Sequence, residues 1–109
     1  MKTSSAKGKG RRLQQWVRDI ILEKFSGLEP DDVRSTSMGA GGEDVQLSPA
    51  ARKHFPFSVE CKNVEKLNVW GAYAQAAANS GDHEPILIMK KNRKNPLIVI
   101  DAEAFFKLL

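Results

Sequence analysis

The chain has 109 residues, 41% of them apolar and 28% charged, which is typical of one small globular domain. It contains no apolar run long enough to cross a membrane, and no unbroken apolar stretch follows its basic start as in a signal peptide. The one cysteine, Cys61, excludes an internal disulfide and favours a reducing cytoplasm, and with only two histidines a zinc site of the usual kind is excluded.

The net charge of +4 is concentrated in two basic blocks. Two such blocks around an acidic centre suit a polyanion such as DNA, whose phosphates could be held on both sides of a central site. A solvated tail and a solvated turn would explain the same charges equally well. The first block contains Lys2, Lys7, Lys9, Arg11, Arg12 and Arg18, and the second contains Lys90, Lys91, Arg93 and Lys94.

The N-terminal part predicts a disordered segment followed by an amphipathic helix. Residues 1–9 are small, polar and basic, so we expect them to be disordered and the folded domain to span residues 10–109. From Arg11 onward the apolar residues recur with the helical period, and Gly27 ends the pattern. This stripe consists of Leu13, Trp16, Val17, Ile20, Ile21 and Phe25.

Three strands are predicted in the middle of the chain. The first covers 33–36 and is followed by a glycine-rich loop at 37–42 that is too irregular for a helix or strand. Residues 44–47 alternate between polar and apolar, as a strand does, and the third strand covers 57–62. The segment 50–54 between them is consistent with one helical turn.

The C-terminal sequence predicts a helix at 70–78 that Asn79, Ser80 and Gly81 end. It further predicts two strands at 86–89 and 97–100, and a last helix at 102–109 with Asp101 as its N-cap. The two strands are continuously apolar, which indicates burial on both faces. The whole order therefore predicts an α/β fold with a central mixed sheet of about five strands flanked by helices.

The candidate active site is formed by Asp44 and by Glu60 and Lys62 of the third strand. Side chains two residues apart on a strand share a face, so Glu60 and Lys62 project together. Asp44 on the neighbouring strand would supply a second carboxylate, and the peptide carbonyl of Cys61 can point to the same place. Hard cations such as Mg²⁺, for which Mn²⁺ can substitute, are held by one or two carboxylates together with water and phosphate oxygens. The pattern therefore favours a metal-dependent nuclease in which Lys62 acts on the attacking water or on the transition state.

Several other residues have structural interpretations. Trp16, Trp70 and Tyr73 fit the apolar stripes of helices, so we expect them in the core. Glu43 should lie on the strand face opposite Asp44, in solvent. Cys61 should point into the core. A further group precedes the glycine-rich loop and could contact phosphate or simply be exposed: Arg34, Ser35 and Ser37.

The segments 42–47 and 58–62, followed by a helix with Tyr73 and Gln75, resemble the PD-(D/E)xK nuclease superfamily. Over roughly residues 8–100 the chain is most similar to small archaeal-type Holliday junction resolvases and to related phage endonucleases. The resemblance implies a restriction-endonuclease-like core with helix, three strands, helix and strand in that order, which agrees with the order predicted from the residues.

The resemblance also assigns roles. It implies that Asp44 and Glu60 bind the metal, that Lys62 is the catalytic lysine, and that Gln75 lies near the active site or the DNA. The resolvases usually carry a glutamate in the first helix, and here Gln14 occupies that position. A neutral amide there could weaken metal binding, transfer the role to Glu43, or contact DNA instead.

The resulting expectation is a Mg²⁺-dependent DNA endonuclease that acts on branched DNA in recombination and works as a homodimer. The basic residues of the two blocks and those before the glycine-rich loop would bind the DNA. Two alternatives remain open: a nicking or restriction-type endonuclease on duplex DNA, and a nucleic-acid-binding module whose acidic site is degenerate.

Overall fold

The computed structural model describes residues 3–36 and 42–109, and the side chains from residue 6 onward. The strands of these ranges form a five-stranded sheet with the order β1-β2-β3-β4-β5, in which only β3 and β4 are parallel. The α/β fold with a mixed sheet of five strands is therefore confirmed. The elements are α1 (Thr3–Lys24), β1 (Val33–Ser35), β2 (Val45–Leu47), α2 (Pro49–His54), β3 (Phe57–Asn63), α3 (Val69–Ala78), β4 (Glu84–Lys90), β5 (Leu97–Val99) and α4 (Ala102–Lys107).

The two faces of the sheet have different environments. One face packs against α1 through the main core, to which β3 contributes Val59 and Cys61. Because side chains alternate along a strand, Glu60 and Lys62 lie on the opposite face, where α3 crosses from β3 to β4. The core therefore anchors the strands from behind, and the candidate catalytic side chains project from the other side.

β4 is a buried apolar strand, as its sequence predicts, but β5 is not. Leu87 of β4 is fully buried, whereas Leu97 and Ile98 of β5 are 60% and 61% exposed. The expectation that β5 is buried on both faces was wrong, because a continuous apolar run does not distinguish a central strand from an edge strand. β5 has a neighbour on one side only and forms the edge of the sheet.

Both tryptophans lie at the surface, which corrects their assignment to the core. Trp16 is 45% exposed and Trp70 is 85% exposed, while Tyr73 is half-buried. In α3 the buried positions are Ala72 and Ala76, whose small side chains let the helix lie close to the sheet. The helical period predicted the helix correctly but overestimated the width of its buried stripe.

α1 begins at Thr3, whereas the sequence predicted a helix from Arg11 and disorder over residues 1–9. Residues 3–9 thus extend the helix, and residues 1–2 lie outside the described part. Extension is favourable because each added residue gains a hydrogen bond without repeating the cost of nucleation. None of the helices in the described ranges is long and apolar enough to cross a membrane.

Ser48 connects β2 to α2. Its Oγ accepts a hydrogen bond from the backbone N–H of Ala51 at 3.1 Å and donates to Oδ1 of Asp32 at 2.6 Å. We expect Ser48→Ala to lower the free energy of unfolding by about 1 kcal/mol, because the α2 N-cap is lost. Urea unfolding would measure the change, with Ser26→Ala in an exposed position as the control. Equal stability of the Ser48 variant and the wild type would contradict the capping role.

Candidate active site

Asp44 and Glu60 stand opposite each other on neighbouring strands. β2 and β3 pair antiparallel with Val45 opposite Val59, so the next pair in this register is Asp44 with Glu60. Directly opposed side chains on one face have Cβ atoms about 4.5–5.5 Å apart. The pairing therefore brings the two predicted carboxylates together on the α3 face of the sheet.

Hydrogen bonds fix Asp44 in this position. Its Oδ2 accepts the backbone N–H of Cys61 at 2.7 Å, and its own N–H donates to the carbonyl of Val59 at 2.9 Å. Its carbonyl accepts from the backbone N–H of Thr36 at 2.9 Å and from the Thr36 hydroxyl at 3.2 Å. One carboxylate is thus tied to the strand that carries the other, although it lies just outside β2 at the end of the loop.

Glu60 is held in an environment that disfavours its charge. Only 6% of the residue is exposed. Burial is the main cause that raises the pKa of Glu60 from 4.5 to about 7, and the hydrogen bond and negative charge of Asp44 raise it further. Asn79 and the Lys62 ammonium act in the opposite direction. A bound cation would offset the repulsion between these two carboxylates and stabilise their charged forms.

Lys62 and Cys61 occupy the two faces that the sequence predicts. Lys62 is half-buried on the α3 face, where its charge acts on Glu60. The Cys61 side chain is 8% exposed and belongs to the core, where burial raises the pKa of the thiol far above its ordinary value. The thiol is therefore protonated and remote from solvent, which excludes it as a nucleophile.

Asn79 is a site residue that sequence reasoning missed. Its Nδ2 donates to Oε1 of Glu60 at 3.2 Å from the C-terminal end of α3. In the sequence, Asn79 reads only as a helix terminator, although it follows Gln75 by four residues and so shares its helix face. Gln75 itself has an exposed side chain, and its carbonyl accepts the N–H of Asn79. The amide that reaches the carboxylates is thus one helical turn beyond the predicted one.

We expect Asn79→Ala to raise the pKa of Glu60 above its already raised value, because the hydrogen bond to Oε1 stabilises the charged carboxylate. A carboxyl ¹³C NMR titration of the metal-free protein would measure the shift, with Asn95→Ala as a control in an exposed turn. A Glu60 titration unchanged by Asn79→Ala would show that the bond is not formed in solution.

Gln14 is buried in α1 and 3% exposed, next to the core residues Leu13 and Val17. A side chain covered to this extent does not reach DNA without a rearrangement of the helix. The burial therefore argues against the alternative in which Gln14 contacts DNA, and leaves open its relation to the metal site.

The prediction that Glu43 lies in solvent was wrong. Its Oε1 lies 2.6 Å from a guanidinium nitrogen of Arg52, and both side chains are about one-fifth exposed. Arg52 also donates to the carbonyl of Phe57, so this side chain of α2 contacts both the segment before β2 and the start of β3. Glu43 thus has an identified partner of opposite charge, which disfavours transfer of the missing acidic role to it.

The two basic blocks meet in space. Lys9 and Arg12 of α1 line a cavity of about 320 Å³ together with Lys90 at the end of β4, and Asn63 donates to the carbonyl of Lys9 at 3.4 Å. Asn63 is three residues beyond Glu60 on β3 and, because side chains alternate along a strand, it lies on the α1 face with Val59 and Cys61. The cavity therefore opens on the α1 side of the sheet, and the two carboxylates lie on the other side.

The remaining basic side chains of the two blocks do not line this cavity. Arg18 is half-buried and pairs with its neighbour Asp19 at 2.9 Å, and Lys2 lies outside the described residues. The others are exposed and available to a polyanion: Lys7, Arg11, Lys91, Arg93 and Lys94.

The polar residues before the glycine-rich loop are less closely connected with the site. Arg34 is exposed and forms an ion pair with Asp31 at 3.1 Å, and Ser35 is half-buried in β1. Ser37 and residues 38–41 of the loop lie outside the described residues. Contact of these residues with phosphate stays a prediction.

Comparison with known protein families decides the identity of this arrangement. The model of a family described as "Phage putative PDDEXK endonuclease" matches residues 5–109. The chain belongs to this endonuclease family. Comparisons with curated proteins and with solved structures gave no match. The family membership supports the superfamily and the phage-type endonuclease that the sequence resembles, and it does not test the similarity to Holliday junction resolvases.

The family implies a divalent metal ion, and the residues present fit one. Among the described residues no group of three or more His, Cys, Asp or Glu side chains could hold a metal. Asp44 and Glu60, and the carbonyl of Cys61 that the sequence suggests as a third ligand, would nevertheless offer oxygen donors only. Mg²⁺ commonly uses one or two carboxylates and fills its remaining positions with water and substrate phosphate. Two carboxylates would therefore be enough protein ligands for such an ion.

Proposed function

We propose that this endonuclease is a Mg²⁺-dependent DNA hydrolase, in which Asp44 and Glu60 are the metal ligands and Lys62 is the catalytic lysine. The observation that carries the proposal is the pair of carboxylates opposed on one sheet face, with the pKa of Glu60 raised to about 7. Placing two acids in such a site costs stability, and binding of a divalent cation is the function that best explains it.

Phosphodiester hydrolysis needs a nucleophilic water and neutralisation of the charge that develops on the phosphate. A bound Mg²⁺ would supply Lewis acidity and lower the pKa of a water molecule. Lys62 lies on the same face as Glu60 and would hold the attacking water or donate to the phosphate oxygens. The Cys61 N–H holds the Asp44 carboxylate in place at 2.7 Å, and Asn79 holds that of Glu60. The main-chain and amide bonds thereby preorganise both ligands.

The cavity lined by Lys9, Arg12 and Lys90 is proposed to receive a backbone phosphate of the DNA away from the scissile one. Cations at this place would help to position the DNA on the enzyme without reading its bases. The exposed Lys91, Arg93 and Lys94 of the same turn would extend the contact along the DNA.

Branched DNA is the proposed substrate, and a homodimer is the proposed working form. Both rest on the resemblance to small junction resolvases and on symmetry, because a two-fold dimer has two equivalent sites that can cut two strands. Duplex nicking is the rival within the same chemistry, because nothing in the carboxylate pair distinguishes one DNA architecture from another.

The proposal is tested by incubating the protein with junction, flap, duplex, single-stranded and supercoiled DNA in Mg²⁺, Mn²⁺ or EDTA. We expect cleavage only with a metal, and loss of cleavage but not of DNA binding in Asp44→Asn. Paired symmetric cuts in the junction support the resolvase, and scattered nicks in plasmid support the nickase. DNA binding without cleavage in either metal would leave only a nucleic-acid-binding module.

A further inference from the structure

The last helix of the structure leaves its apolar side chains uncovered. α4 contains no buried residue, and Phe106 is 67% exposed. Phe105, Leu108 and Leu109 are 45%, 57% and 86% exposed. A short helix depends on tertiary packing for most of its stability, so a helix with this many exposed apolar side chains indicates a contact surface.

The uncovered surface continues beyond α4. Trp70, which is 85% exposed, lines a groove of about 370 Å³ that also contains Ala102 at the start of the helix. We call the combined patch of Trp70, Ala102, Phe106 and Leu109 the α4 surface. A stable interface needs about 800 Å² from each partner, more than a single short helix offers, and the neighbouring groove extends the area.

Two charged side chains of α4, Glu103 and Lys107, indicate which partner would fit this surface. Glu103, Phe106 and Lys107 have the spacing i, i+3 and i+4, so they share one face of the helix, whereas the half-buried Ala104 lies on another side. Glu103 and Lys107 lie two residues before and two residues after Phe105, so the midpoint between them along the helix axis is at the level of this residue. Neither forms an ion pair within the described part of the chain. A second α4 that runs antiparallel would bring each Glu103 next to a Lys107.

We propose that the α4 surface is a two-fold interface between two copies of this chain, in which the α4 helices pack antiparallel. Phe106 of each copy packs against the partner helix near the axis, and two reciprocal Glu103–Lys107 pairs flank the aromatic contact. Such an interface is self-complementary, as a two-fold dimer requires. β5 contributes little strand pairing, because it has three residues and Pro96 and Lys94 precede it, as in protected sheet edges.

The proposal gives the dimer suggested under the proposed function a defined surface, and it rests on that function only for its role in cutting two strands. The α4 surface does not include Asp44, Glu60 or Lys62. Each copy would therefore keep a complete candidate site, and assembly can be measured without any DNA or metal.

The test is the mass of the protein in solution, measured by sedimentation equilibrium in EDTA. We expect the wild type to reach twice the chain mass of 12.1 kDa. Phe106→Asp should raise the dissociation constant about 100-fold. Glu103→Lys and Lys107→Glu should each raise it about tenfold, because like charges then face each other twice. Glu23→Lys, an exposed charge reversal on α1, is the control and should have no effect.

Mixing the two charge variants makes the test specific for this geometry. In a mixed dimer, one α4 carries lysine at both charged positions and the other α4 carries glutamate at both, so each of the two flanking contacts again joins opposite charges. An equimolar mixture of the Glu103→Lys and Lys107→Glu chains should therefore associate about as tightly as the wild type. Mixing would not restore association if either variant were misfolded. It would not restore association either if Glu103 and Lys107 paired with each other within one helix.

Two results would overturn the proposal. One is a wild type that stays at the chain mass up to about 100 µM, a concentration at which a weak specific dimer would form. The other is a dimer that none of the α4 changes weakens, since it would use another surface. DNA cleavage tests the proposed function separately. A dimer that Phe106→Asp dissociates but that never cuts DNA would support the interface and contradict the nuclease. A monomer that cuts DNA would support the nuclease and contradict the interface.

Discussion

Lys62→Met should lower the rate of DNA cleavage by about 10²–10⁴-fold without abolishing metal binding. Methionine keeps the length and packing of the side chain and removes the ammonium that lies on the Glu60 face of β3. Since this ammonium lowers the pKa of Glu60, its loss should also shift the pH at which metal binds toward higher values. Single-turnover cleavage and calorimetric titration with Mn²⁺ would measure the two effects.

Lys62→Arg separates the two roles that a lysine could have here. Arginine retains the positive charge but does not deprotonate, so it preserves transition-state stabilisation and abolishes general base catalysis. Lys66→Met, an exposed lysine in the β3–α3 connection, is the matched control and should cleave normally. Full activity of Lys62→Met would show that the lysine is not part of the catalytic machinery.

Glu60→Gln should stabilise the metal-free protein at pH 8 by about 1–3 kcal/mol while abolishing metal binding. Glutamine can accept from Asn79 through its oxygen and donate to Asp44 through its nitrogen, so the two hydrogen-bonding neighbours stay satisfied. The substitution removes only the buried charge that faces Asp44. A folded state that becomes more stable when a carboxylate is removed is expected where that carboxylate serves binding rather than stability.

The sign of the pH dependence follows from the raised pKa. The carboxyl of Glu60 titrates near 4.5 in the unfolded chain and at about 7 in the folded protein. Between these values the folded state holds the proton more tightly, so the wild type loses stability as the pH rises. The difference between Glu60→Gln and the wild type should therefore be small at pH 4 and complete above pH 7.

Metal should reverse the comparison. At 100 times its dissociation constant a cation that binds only the folded state stabilises it by about 2.7 kcal/mol, and it should do so for the wild type and not for Glu60→Gln. Thermal unfolding at pH 4 and pH 8, with EDTA or Mn²⁺, measures all four conditions. Glu23→Gln on exposed α1 is the control for removal of one negative charge. A Glu60→Gln variant that is destabilised at pH 8 without metal would contradict the strained carboxylate pair.

Sequence reasoning succeeded where the evidence was local. The alternation of side chains along β3 put Glu60 and Lys62 on one face and Cys61 on the other, because the period of a strand is two. The helical period and the turn residues predicted the order of elements. Asp101 was recognised as the N-cap of α4, where its Oδ1 accepts the N–H of Ala104 at 2.9 Å. These features depend on neighbours only a few residues away.

It failed where distant parts of the chain decide the outcome. The exposure of Trp70 and of β5 depends on how many neighbours the sheet and helices provide, which an apolar pattern does not contain. Glu43 was expected in solvent because its partner Arg52 comes from a different element. Asn79 was read as a helix end, and its contact with Glu60 arises because α3 lies across β3.

The sequence by itself thus determined an α/β fold, the pair of acids with a lysine, and the resemblance to PD-(D/E)xK nucleases, since each is written in short-range spacing. Only the tertiary structure decided that Asp44 faces Glu60 in the strand register, that Asn79 supports them, and that Lys9 and Arg12 meet Lys90. These contacts join residues up to 81 positions apart, from Lys9 to Lys90. Packing of helices on the sheet brings them together, and no local pattern encodes that distance.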